Sequence, residues 1–126
     1  MATESKHFTR KELECPCCGI CNVNQKSLNK LEALRILYNK PIYLSRASSC
    51  EKHNKEIGGS KHSEHIASEA QSSTGFDIKI TNDRERFLII RRALQVGFDR
   101  IGLYRKHNGL HLGDSEELDQ EVFWIG

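Results

Sequence analysis

Residues 58–79 read GGSKHSEHIASEAQSSTGFDIK. Two side chains able to bind a metal, His65 and Asp77, stand at the two ends of a polar loop within this stretch. A third, His111, arrives much later inside a short apolar run, GLHLG. Two ligands near one another in sequence and one remote is a common way to build a catalytic zinc site, with three protein ligands and a fourth position left for water. The same stretch marks a change of local structure. Gly58-Gly59 reads as a helix stop. Residues 76–80 alternate Phe, Asp, Ile, Lys, Ile, which is a strand with Asp77 and Lys79 on one face and Phe76, Ile78 and Ile80 on the other. The rest of the chain is scaffold that carries His111 to the other two.

Working upstream, residues 50–57 read as a helix and residues 42–44 as a short strand. Residues 25–39 have Leu28, Leu31, Leu34 and Tyr38 along one helical face, with Pro41 as the stop. Thr9 and Glu12 have the spacing of a capping box for a short helix. Downstream, Asn82 caps a helix with Glu85 at the right offset. Its expected buried face is Phe87, Ile90, Ala93 and Leu94, and Gly97 ends it. Residues 101–104 and 110–112 read as antiparallel strands joined by a polar turn, and residues 122–125 as a last strand. Helices followed by strands with one helix inserted imply an α+β domain, a small antiparallel sheet with helices packed on it.

A chain of 126 residues is long enough for one core and too short for two, so residues 1–126 read as one domain. The net charge of +2, with both signs interspersed, gives no reason to expect a nucleic-acid partner. No apolar run approaches the roughly 20 residues that span a bilayer, so no membrane partner is expected. The first residues, MATESKHFTRKEL, lack the apolar core of a secretory signal, so the expectation is synthesis in the cytoplasm as a monomer. The five cysteines are Cys15, Cys17, Cys18, Cys21 and Cys50, an odd count that argues against a full disulfide framework. Four thiols in ECPCCGIC suggest a metal, yet Cys18-x-x-Cys21 lacks a second CxxC half. Cys50 adds a ligand only if the fold brings it near. Small buried thiols, a structural zinc and a disulfide all stay open.

On residue types alone, His53, His62 and His107 compete with His65 and His111 as ligands, and His7 nearly so. The order PIYLSRASSCEKHNKEIGGSKHSEH, then GFDIKI, then VGFDRIGLYRKHNGLHLGD, resembles the zinc D-Ala-D-Ala carboxypeptidase family, whose members share the hedgehog/DD-peptidase fold. The residues that carry the resemblance are Cys50, His53, Asn54, Gly58, Gly59, Ser63, His65, Asp77 and His111. The front end, HFTRKELECPCCG, extends it over nearly the whole chain. The resemblance implies Zn2+ held by His65, Asp77 and His111. It implies a peptidoglycan stem peptide as substrate, cut by a metal-activated water in a D,D-carboxypeptidase or endopeptidase reaction. Phage members of such a family serve as endolysins or virion-associated enzymes, released by other lysis factors to reach the cell wall.

Three departures bear on that expectation. Asp77 follows His65 by twelve positions, longer than the family's usual step, so IASEAQSSTG reads as a loop insertion and Glu69 competes as the carboxylate. Ser49 stands where the family has an Arg, with Arg46 three residues earlier as the substitute for binding substrate. Asn108 stands three before His111, where active relatives place a general base, and an amide takes no proton from water. Glu64, Glu69, Asp99, Asp114 and His107 are the other candidates for that base. Ser63, Ser49, His53 and Arg46 are candidates for the substrate side, with Tyr104 and Trp124 lining a groove. One alternative is a catalytically weak or inactive zinc module that binds wall peptide or a phage structural partner. Another is a cysteine-centred metal or redox protein built on ECPCCGIC.

Overall fold

A computed structural model describes residues 2–126. Its helices are α1 (Arg10–Leu13), α2 (Gln25–Tyr38), α3 (Glu51–Glu56) and α4 (Asp83–Val96). Its strands are β1 (Leu44–Arg46), β2 (Gly75–Lys79), β3 (Arg100–Leu103), β4 (Gly109–Gly113) and β5 (Val122–Ile125). The strands form one sheet in the order β1-β2-β4-β3-β5. The fold is the expected α+β arrangement, with one refinement. The first three pairings are antiparallel, but β5 runs parallel to β3, so the sheet is mixed. Both flanks of β4 are already taken by β2 and β3. The chain leaving β4 therefore reverses direction past the end of β3 and takes the free edge beyond it.

One face of the sheet is covered by α2 and α4. Leu28, Leu31 and Leu34 of α2 meet Ile89 and Ala93 of α4 over Phe76, Ile78, Ile101, Leu110 and Leu112 of the sheet. Asn24 caps α2 by accepting from the Ser27 N–H. The helix ends before Pro41, on Asn39, which adopts the left-handed conformation at φ 60°. The Asn82 cap and the Gly97 end of α4 are as expected. Its buried face is as expected at Ala93 and, in part, at Ile90, but it centres on Ile89 and leaves out Phe87 and Leu94. Ile89 and Ala93 are buried, whereas Phe87 and Leu94 are 59% and 47% exposed. Phe87 lies roughly 200° around the helix from Ile89 at 3.6 residues per turn, so both cannot face α2. Arg91 instead lies over the Phe87 ring, 5.0 Å from its centre. The first strand also starts two residues later than expected, with a register shift between Leu44 and Arg46.

Candidate functional site

Period-2 alternation sends Phe76 and Ile78 into the core, so Asp77 points from the opposite face of the sheet. The strand register then builds a line across that face. Arg46 pairs with Asp77, Asp77 with His111, His111 with Gly102, and Gly102 with Trp124. Gly102 has to be small, because a Cβ there would lie 2.6 Å from the Trp124 ring. His65 reaches the line from the loop between α3 and β2. Its backbone is fastened by the Ser49 N–H, which donates to His65 O at 2.7 Å, and by Ser63 Oγ, which accepts from His65 N at 3.2 Å.

The structure thus brings His65, Asp77 and His111 together, all buried. His65 Nε2 is 3.1 Å from Asp77 Oδ1, and His111 Nδ1 is 3.1 Å from the same oxygen and 3.2 Å from His65 Nε2. The outer nitrogens are already committed. His65 Nδ1–H donates to Ala47 O at 2.8 Å, and His111 Nε2–H donates to Glu64 Oε1 at 2.9 Å. In the neutral rings both inner nitrogens are therefore bare lone pairs aimed at a carboxylate oxygen. Three acceptors facing one another repel unless a cation or a proton sits among them. Ligands about 2.0–2.1 Å from a tetrahedral zinc stand about 3.3 Å apart, so these separations fit a zinc ion with one position left over.

The electrostatics of these side chains agree with that demand for positive charge. Burial pushes the His65 imidazole down, in spite of its bond to Asp77. Burial also works against His111, but the bonds to Asp77 and Glu64 outweigh it and hold His111 above the ordinary histidine value. Burial works against ionisation of Asp77 as well, yet its bonds from His111 and His65 keep it well below the usual carboxylate range. His111 is raised and His65 lowered because two carboxylates flank the first and only one flanks the second. Glu64 is likewise lowered despite its burial, by His111, the Ser115 N–H and Arg100.

The triad opens onto a cleft of about 480 Å³ lined by Arg46, His62, Ser63, Tyr104 and Trp124 among others. A larger polar cavity of about 670 Å³ adjoins it, sharing His62, Ser63 and Glu64 and reaching Lys26 and Asp114, and none of the three ligand residues lines it. Tyr104 O–H donates to Asp77 Oδ1 at 2.9 Å. Burial, and next the Asp77 charge, push the phenol up, so it stays a donor. Arg46 is held by Ser49 Oγ (2.8 Å from Nε) and Asn54 Oδ1 (2.7 Å from Nη2). Ser49 is therefore buried behind the cleft and orients the arginine, and Asn54 does the same from α3.

The remaining candidates fall elsewhere. Glu69 is exposed on the inserted loop, which Asn22 clamps through its side-chain amide to Ser68 O (2.7 Å) and Gln71 O (3.2 Å). His53 is half-buried on α3 and does not line the cleft. Asn108 is exposed at the end of the β3–β4 turn. His107 is exposed and stacks on Tyr104, ring centres 4.4 Å apart. Asp99 is exposed, and Asp114 accepts from Lys30 (2.5 Å) and Ser27 (2.8 Å). His7 bonds Glu32 of α2 at 2.8 Å and is not grouped with the three ligands. Glu64, a candidate base by sequence, has both its oxygens occupied, by His111 and Arg100 on one side and by the Ser115 N–H at 2.9 Å on the other. It positions His111. The Ala47 carbonyl and Arg100 were missed. A backbone acceptor leaves no trace in sequence, and Arg100 is read only once β3 lies beside β4.

The cysteines regroup as well. The sulfurs of Cys15, Cys17, Cys18 and Cys50 lie within 4.8 Å of one another, and none is in a disulfide. Cys21 is not among them. It is buried in the core with Sγ 3.7 Å from Thr3 O, so the Cys18-x-x-Cys21 pair is not a ligand pair. A hydrogen shared with Cys50 pushes Cys17 up to about 12. Burial raises Cys15, but the N–H groups of Cys50, Cys17 and Cys18 outweigh it and bring that thiol down to about 7.

A family model described as Peptidase M15 matches residues 6–113, a span that includes the whole triad and all five cysteines. No curated protein matches the chain.

Proposed function

This chain belongs to the Peptidase M15 family of zinc-dependent metallopeptidases, and on that premise we propose that it hydrolyses the stem peptides of peptidoglycan, with His65, Asp77 and His111 as its zinc ligands. The observation that carries the reading is the convergence of three lone pairs at 3.1–3.2 Å, each ring turned by an outer hydrogen bond so that only its inner nitrogen is free. Zinc held there supplies Lewis acidity, bringing the pKa of water toward about 7 and stabilising negative charge on a carbonyl oxygen. The chain's own residues do the rest. Ala47 O and Glu64 fix the two ring tautomers. Arg46, anchored by Ser49 and Asn54, offers its remaining N–H donors to the carboxylate or carbonyl of a bound peptide. Tyr104 stays protonated beside Asp77 and presents a hydroxyl to the cleft.

A proton acceptor is also needed. Of the titratable side chains lining the cleft, Arg46, Arg100 and Tyr104 are donors, and Glu64, His65 and His111 are committed. That leaves His62, to which we assign the proton transfer. The test is incubation of the purified protein with muropeptides, read by mass spectrometry. Cleavage should stop with a chelator, return with zinc, and be absent in His65→Ala. His62→Gln should keep the zinc and lose turnover. Release of free D-alanine separates a carboxypeptidase from an endopeptidase, which releases larger fragments. Zinc bound with no cleavage of any wall peptide defeats the enzymatic reading. The second reading, a zinc module that binds wall peptide or a phage structural partner without turnover, is favoured by Asn108, whose amide cannot act as a base. Retention of muropeptide by the zinc-loaded protein without products would select it. Action at the cell wall, through release or carriage on a virion, follows from the substrate proposed.

A further inference from the structure

We propose that Cys15, Cys17, Cys18 and Cys50 form a second, structural zinc site of four thiolates, separate from the histidine ligands and argued without the peptidase reading. Three of the sulfurs come from one tight turn. Within it Cys15 N–H donates to Ile20 O at 2.7 Å, Gly19 N–H donates to Cys15 O at 2.8 Å, and Gly19 takes φ 76°. The fourth comes from the N-cap of α3, thirty-two positions beyond Cys18. Cys17 Sγ and Cys50 Sγ are 3.7 Å apart. A tetrahedral zinc with Zn–S of about 2.3 Å sets its sulfurs about 3.8 Å apart, whereas a disulfide needs about 2.05 Å. Backbone N–H groups already point at the sulfurs, from Cys50 to Cys15 Sγ and from His53 to Cys50 Sγ, both at 3.3 Å. That is the environment a thiolate requires. Four protein ligands leave no open position, which is the mark of a structural rather than a catalytic site. The exposed Cys17 and Cys18 give an ion a way in. Each thiol that binds releases its proton to solvent, and no electron moves.

The position of this site gives it a job. The end of α1, just before the turn, is already tied to the segment that follows β1 through the Ser48 N–H donating to Leu13 O at 2.9 Å. That segment carries Ala47 O, which fixes the His65 ring, and Ser49, which fixes both the His65 backbone and Arg46. A metal between the turn and Cys50 clamps the corner that orients a ligand of the first centre.

The experiment is metal analysis of the full chain purified with zinc under reducing conditions. The wild type should carry two zinc ions per chain, His65→Ala one, and the double variant Cys17→Ser/Cys18→Ser one. Cobalt-loaded His65→Ala should show the near-ultraviolet sulfur-to-cobalt charge-transfer absorption and the strong visible bands of a tetrahedral thiolate site, a readout that survives even if the cysteine variant does not fold. One zinc in the wild type and none in His65→Ala overturns the proposal. So does an intact mass showing a Cys17–Cys50 disulfide, or a cobalt spectrum without the sulfur band. Two zinc ions without hydrolysis of wall peptide would count against the proposed activity alone.

Discussion

Replacing Glu64 by Gln isolates the group that orients His111. One oxygen of Glu64 accepts from His111 Nε2 (2.9 Å) and Arg100 Nε (3.1 Å), and the other from the Ser115 N–H (2.9 Å). An amide has the same shape but only one acceptor atom. Whichever way it turns, an NH2 group faces another donor, and the negative charge is gone. Loss of an orienting partner of a metal-ligating histidine costs about 10- to 100-fold in metal affinity, which is about 1.4–2.7 kcal/mol. The Arg100 and Glu64 side chains are only 12% and 3% exposed, so the donor left facing the amide NH2, whether Arg100 Nε or the Ser115 N–H, adds a folding cost of about 1–3 kcal/mol. The assay is competitive zinc titration against a chelating dye, followed at the equivalent that His65→Ala removes, with thermal unfolding of the same samples. Glu69→Gln, on the exposed loop, is the control and should change neither. Wild-type affinity at the His65-dependent equivalent in Glu64→Gln would refute the reasoning, because the carboxylate would then be irrelevant to how His111 presents its inner nitrogen.

Gly113→Ala should weaken zinc in the same titration, since a Cβ at Gly113 would collide with the Glu64 carboxylate and push it off His111; unchanged affinity would mean that this contact relaxes freely. Zinc and a proton compete for His111 Nδ1, and because Asp77 and Glu64 hold that ring above the ordinary histidine value, apparent zinc affinity should begin to fall above about pH 6.5 as the solution is acidified. For the metal-free protein the sign is reversed at this group: its contribution to stability is complete below the unfolded histidine value and is lost as pH rises through the folded one. Zinc affinity flat between about pH 8 and about pH 6 would sink this prediction. Leu31→Ala, at the fully buried centre of the α2 stripe, should lower unfolding free energy by about 2–5 kcal/mol in chemical denaturation while leaving the zinc equivalents unchanged, and a loss under about 1 kcal/mol would show that the cavity collapses.

Much of the fold was legible in the residues. Alternation in residues 76–80, the Leu28, Leu31 and Leu34 stripe, the Asn82 cap and the Gly97 stop act over a few residues, so their signals are written locally. The face of α4 was legible in part. Ala93 and Ile90 lie where the stripe put them, but Phe87 and Leu94 are no less apolar than Ile89, and only the approach of α2 selects among them. The parallel pairing of β5 was not legible, because it depends on which edge of the sheet is vacant once the other strands are placed.

The centre divides along the same line. His65, Asp77 and His111 could be named from ordered motifs, because ligand type and sequence order survive without coordinates. Their convergence, the capture of Glu64 by His111, and the meeting of Cys50 with the first three cysteines are contacts between residues dozens of positions apart. No local pattern encodes such a contact. It exists only when the sheet register sets Asp77 opposite His111 and the corner after β1 carries Cys50 onto the turn.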